Sequence, residues 1–166
     1  PASAKLIGQL LSDCQVHFRP GPPVLSWERV RQLLGLSERE QLPPSADVSQ
    51  ATIAACGRVW YQPIVSQAGV LQGVEALARW QLPDGELLLP DEFLPVLEFA
   101  GMEEAFTWHV LEQALGLANQ VMGESGQVLP VAVNIPGRML EREHFPQVLQ
   151  GLLQLHGVPA HSLTLE

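Results

Sequence analysis

The chain has 166 residues, 46% of them apolar, and a mean hydropathy of +0.11, enough for a buried core and too apolar for disorder over most of its length. No apolar run reaches the roughly 18 residues a membrane span needs, no charged-then-apolar leader opens the chain, and two cysteines, Cys14 and Cys56, make neither a disulfide framework nor a zinc site. The net charge of −9 lies wholly in residues 58–166, with thirteen acidic and four basic side chains against five of each in residues 1–57, which excludes a surface for duplex nucleic acid.

Cysteine usage points to a reduced, cytoplasmic setting. Residues 1–57 read as a linker or the tail of an upstream regulatory module, short and mainly helical. Leu6 to Leu11 can form a helix, and Arg19-Pro20-Gly21-Pro22-Pro23 interrupts it. Ser26 is placed to cap a short helix with Val30, Leu33 and Leu34 on one face, stopped at Gly35 and closed off by Pro43-Pro44. The run Leu36 to Gln41 is similar to the opening of some helix-turn-helix modules, but no basic recognition helix follows it. A last short helix is expected around Ala46 to Ala55.

From residue 58 to 166 the texture alternates between strands and helices. Val59 to Val65 and Val70 to Trp80 read as strands joined by a turn at Ser66 to Gly69. A second turn is expected at Pro83-Asp84-Gly85. Pro90 to Ala100 has Pro at a helix start and Gly101 just past the end, and Ala105 to Met122 is a long helix with Leu111, Leu115 and Ala118 on one face. Val128 to Val133 is a short buried strand, Phe145 to Leu155 a helix, and Leu163 to Leu165 a further strand. Apolar strands separated by amphipathic helices call for an α/β fold with a parallel sheet, either doubly wound or barrel-like.

One strand carries charges where apolar residues are the rule. In Gly73 to Trp80, a period of two points Glu75, Leu77 and Arg79 the same way. An unpaired buried charge costs several kcal/mol, on the order of a lost core side chain, so each needs a partner. A structural Glu75–Arg79 pair satisfies that requirement; so does a site in which Glu75 meets a cation and Arg79 an anion. Asn134 ends the strand 131–133 and Glu166 ends 163–165. Asn134 is also a common turn former. Oxygen donors at the carboxyl ends of successive parallel strands are where barrel enzymes build their sites, and Glu, Asn and Glu suit Mg²⁺ or Mn²⁺ rather than zinc. The five histidines, His17, His109, His144, His156 and His161, lack metal-ligand spacing; His109 reads as packing or solvent-facing.

These motifs, taken in order, resemble the first part of an EAL domain, the bacterial family of cyclic di-GMP phosphodiesterases. The residues that carry the resemblance are Tyr61 to Val65, the tripeptide Glu75-Ala76-Leu77 within Val74 to Trp80, Pro90 to Pro95, Trp108 to Ala114, Val131 to Asn134 and Leu163 to Glu166. The resemblance implies a (β/α)8 TIM-type barrel with one antiparallel strand, here roughly its first half. It implies Glu75, Asn134 and Glu166 as metal ligands, Glu75 as the catalytic position, Arg79 on a phosphate, and Gln62 and Leu77 lining the pocket. The implied cofactor is a pair of Mg²⁺ or Mn²⁺ ions and the implied reaction opens cyclic di-GMP to linear pGpG. Carboxylates repel a phosphodiester unless cations intervene, so this reading also accounts for the acidic balance.

Two departures modify the expectation. The family has Ser two places after the Asn, where this chain has Pro136. The family's Asp-Asp-Phe-Gly motif and its later Lys would fall beyond residue 166, so the chain alone is expected not to turn over substrate. A half-completed sheet leaves an exposed edge and an apolar face, for which a longer protein, a homodimer or a protein partner is the expected cover. The alternative function is a non-catalytic cyclic di-GMP receptor or a partner-binding EAL domain.

Overall fold

The computed structural model describes residues 46–166 apart from Pro83. The expected helices at Leu6 to Leu11 and at Ser26 to Gly35, and the breaks between them, lie outside the described residues. Helix α1, Ala46–Cys56, runs directly into strand β1, Gly57–Val65. A turn then leads to strand β2, Leu71–Gln81; the Ser66 amide donates to the Val70 carbonyl at 2.8 Å and the Gly69 amide to the Ser66 carbonyl at 2.9 Å. Neighbouring strands joined by so short a link are antiparallel, because a parallel connection needs a crossover of a dozen residues or more, roughly.

A second tight reversal brings β3, Leu87–Leu88, back along β2, pairing Trp80 with Leu88. Gly85 makes this turn possible at φ 89°, with its amide bonded to the Leu82 carbonyl at 2.9 Å. Helix α2, Pro90–Phe99, starts on Pro90, and Glu92 reaches back to accept the Leu89 amide at 2.8 Å. Helix α3, Glu103–Ser125, outruns its expected end at Met122. It is followed by β4, Val131–Val133, the short helix α4, Gly137–Leu140, helix α5, Phe145–His156, a 3₁₀ turn at Ala160–Ser162, and β5, Leu163–Leu165.

The sheet order is β1-β2-β4-β5, with β3 attached to β2. β2 to β4 and β4 to β5 are parallel, as the strand–helix alternation requires, while β1 and β3 make the sheet mixed. The expected strand at 128–133 is shortened to 131–133. Pro130 has no N–H to give a ladder, and its carbonyl instead accepts the Val74 amide at 2.9 Å.

Among the described residues the chain divides into two compact units. One comprises residues 59–77 and 110–166. Its core is the buried face of the parallel strands, Val74, Ala76, Val131 and Val133, together with Leu111 and Leu115 of α3. The other comprises residues 46–58 and 78–109, around Trp80, Phe93 and Phe106, whose ring centroids lie 5.2 to 5.9 Å apart. Tilted and edge-on rings at that spacing add favourable quadrupole contacts to area burial. His109 stacks beside Phe106 at 6.5 Å. No helix among the described residues is long and apolar enough to cross a membrane.

Candidate metal and phosphate site

The site begins with a glycine. A Cβ at Gly73 would stand 2.7 Å from the Pro130 carbonyl oxygen, so β2 and the start of β4 meet more closely than any side chain there permits. That contact, closed by the Val74–Pro130 hydrogen bond, sets the register: Val74 opposite Val131, Glu75 opposite Ala132, Ala76 opposite Val133. Alternation does the rest. Val74, Ala76, Val131 and Val133 are buried on one face, so Glu75, Leu77 and Asn134 emerge on the other.

β5 continues the pattern, with Val133 opposite Leu165. Beyond the regular ladder, the Glu166 amide donates to the Val133 carbonyl at 3.0 Å and the Ile135 amide to the Glu166 carbonyl at 2.8 Å. The backbone on both sides of Asn134 is therefore pinned by a single residue of the next strand. Adjacent strands lie about 4.8 Å apart; Asn134 and Glu166 follow the carboxyl ends of the parallel strands β4 and β5, while Glu75 lies within β2, opposite Ala132.

Two of the three touch. The Asn134 Nδ2 donates to Glu75 Oε1 at 3.0 Å. Glu75 is half-buried, while Asn134 and Glu166 are exposed. This hydrogen bond joins Glu75 to the neighbouring strand across 59 residues of sequence. Among the described residues no three His, Cys, Asp or Glu side chains stand together, so the candidate set is two carboxylates and one amide. Carboxylate and amide oxygens are the donors that Mg²⁺ and Mn²⁺ prefer, and the set fits a hard cation on that chemistry.

The other expected residues are placed as follows. Leu77 is half-buried on β2 and shares the Glu75 face; Gln62 is exposed on β1, the neighbour of β2. Arg79 lies further along β2, in the second unit, where its Nη1 donates to the Ala78 carbonyl at 2.7 Å. Burial of the guanidinium lowers its pKa from the usual value. Gly73 and Pro130 set the register that carries these residues. A glycine inside a strand pattern is a sequence signal for such close backbone approach.

Comparison with known proteins identifies the family. The profile of the EAL domain matches residues 45–166. A probable cyclic di-GMP phosphodiesterase of Escherichia coli K12, PdeB, is 34% identical over 112 residues, which is 65% of this chain and 21% of PdeB. The cyclic di-GMP phosphodiesterase RocR of Pseudomonas aeruginosa is 29% identical over 130 residues, 78% of this chain and 33% of RocR. The solved structure of the PaMucR phosphodiesterase in complex with c-di-GMP superimposes with a TM-score of 0.64 at 27% identity, covering 72% of this chain and 49% of that one. The chain thus spans between about a fifth and a half of the relatives it matches. With the profile covering most of its length, the chain belongs to the EAL domain family.

Proposed function

We propose that the chain contributes the first part of a metal-dependent phosphodiesterase domain that hydrolyses cyclic di-GMP to pGpG. The observation that carries this reading is the hydrogen bond between Glu75, on β2, and Asn134, at the end of β4, with Glu166 at the end of the neighbouring parallel strand β5. The names of PdeB and RocR, and the c-di-GMP held by PaMucR, support the choice of substrate.

In this reading Glu75, Asn134 and Glu166 hold Mg²⁺ or Mn²⁺, with Glu75 the ligand closest to the chemistry. A bound divalent ion supplies an activated water and neutralises phosphodiester charge at neutral pH. Arg79 presents a fixed cation to a phosphate oxygen, for which a planar guanidinium is suited. Leu77 gives the pocket an apolar wall and excludes water beside the carboxylate; Gln62 offers amide donors and acceptors to a guanine edge. The pinned backbone around Asn134 keeps the donors in register without help from the ligand. Residues 1–57 serve as linker or tail of an upstream regulatory module.

A second reading, a cyclic di-GMP receptor without turnover, is favoured by Pro136. It stands where the family has Ser, caps α4 with φ −58°, and brings neither an N–H nor a hydroxyl to the loop after Asn134. The test is hydrolysis by a protein that carries this chain together with the downstream Asp-Asp-Phe-Gly and Lys motifs, with Mg²⁺, Mn²⁺ or excess chelator. Chelator-sensitive release of pGpG, lost in Glu75→Gln, supports the phosphodiesterase. Tight binding of cyclic di-GMP with no pGpG supports the receptor, and absence of both refutes the substrate assignment.

A further inference from the structure

The unit of residues 59–77 and 110–166 holds an open cleft of about 610 Å³, the size of a small-molecule site, and none of Glu75, Asn134 and Glu166 lines it. One wall is a stripe of α3. Glu112, Gly116 and Gln120 follow one another at four-residue spacing along one face of the helix, with Gln113 beside them. Tyr61 of β1 and His156, the last residue of α5, also line the cleft. Strand alternation turns Tyr61 and Gln62 to opposite faces of the sheet, so the cleft lies on the other side from Gln62.

Gly116 stands in the interior of a 23-residue helix, where glycine is unfavourable. At Gly73 close packing demands the glycine; at Gly116 it does not. Among the described residues a Cβ there would meet one atom within 4 Å, Cε1 of His156 at 4.0 Å, which is ordinary contact. The packing of α3 beside α5 has room for a side chain at this position. What the glycine preserves is the open floor of the cleft.

The chemistry of the lining is one-sided. It includes the acidic side chain of Glu112 and, among the described residues, no Lys or Arg. At the other end the Gln120 Nε2 donates to Glu124 Oε1 at 2.9 Å, so the amide oxygen of Gln120 is the end able to accept from a ligand, and a second acidic group stands one turn further on. Glu112 and Gln120 are separated along the helix by about 12 Å. Burial pushes the Tyr61 phenol up to about 12, so at neutral pH it offers a hydroxyl and an aromatic ring rather than a charge. The acidic excess of residues 58–166 adds a field that draws cations and repels anions.

We propose that this cleft binds an aliphatic polyamine laid along α3, with one ammonium group at Glu112 and another at Gln120 and Glu124, across the floor left by Gly116. The site is independent of the phosphodiesterase reading. Ammonium groups separated by methylenes meet acceptors at both ends of the stripe, whereas a compact cation meets one end and an anion neither.

Spermidine titrated into the ¹⁵N-labelled 166-residue chain tests this. Saturable shifts are expected in the backbone amides of Glu112 to Gln120, Tyr61 and His156, with Glu75, Asn134 and Glu166 unmoved. Glu112→Gln removes an ammonium partner, and Gly116→Leu fills the floor without changing charge. Each should weaken binding by at least about tenfold, and propylamine, with a single ammonium group, should bind the wild-type chain more weakly by a similar factor. Four results overturn the proposal: no shift at the cleft, unsaturable shifts spread over the acidic surface, saturable shifts confined to Glu75, Asn134 and Glu166, or equal affinity in both variants or for propylamine. The wild-type amide spectrum of β4 and β5 in each variant separates lost binding from unfolding. Should one variant fail to fold, the other and the propylamine comparison decide.

Discussion

Tyr61 is the only tyrosine in the chain, which lets one side chain report on folding without interference. Burial pushes its phenol up to about 12, because the phenolate would lose its hydration. A folded pKa above the unfolded one favours the neutral form in the native state. The contribution is fully present below pH ~10, the unfolded value, and is lost as pH rises from there through about 12. Near-ultraviolet phenolate absorbance is expected to titrate near about 12 in the native chain. In concentrated urea the midpoint should fall to about 10. A native midpoint at the unfolded value would mean that Tyr61 is exposed to water. At the site, the polar residues were legible in the sequence because charges inside an apolar strand are rare and strand alternation gives their face. Which of them pair was not legible: the Glu75–Asn134 bond spans residues 59 apart and depends on register, which a strand pattern does not encode.

At the scale of elements, the register of β2 on β4 depends on Gly73. A methyl group there would lie 2.7 Å from the Pro130 carbonyl, and backbone cannot yield as a flexible side chain can. Gly73→Ala is expected to destabilise the chain by about 1–3 kcal/mol, the usual scale for overpacking. Urea unfolding would show it as a lower midpoint with an unchanged slope. Wild-type stability in that variant would place the strands further apart than described. The long elements were readable from periodicity: β1, β2, α2, α3 and α5 fall where apolar spacing and the Pro, Gly and turn residues put them. The short ones were not. β3 has two residues and α4 four, too few for any period to register, and they exist because neighbouring elements hold them. The start of β4 falls later than expected because Val128 and Leu129 look like strand residues until Pro130 withdraws its N–H from the ladder.

For the whole molecule, the acidic balance is the property that connects fold to function. Thirteen carboxylates against four guanidiniums over residues 58–166 repel a phosphodiester at long range, and the oxygen donors Glu75, Asn134 and Glu166 on three neighbouring strands concentrate that problem. A hard cation there reverses the local field, which makes metal binding the claim on which the functional reading stands. It can be measured on the chain itself. Mn²⁺ binding followed by electron paramagnetic resonance should be saturable in the wild-type chain and displaced by Mg²⁺. Glu75→Gln should weaken it by at least about tenfold while the circular dichroism spectrum stays unchanged. Equal Mn²⁺ affinity in the two proteins, or no saturable binding in either, would contradict the assignment of Glu75, Asn134 and Glu166 as a cation site.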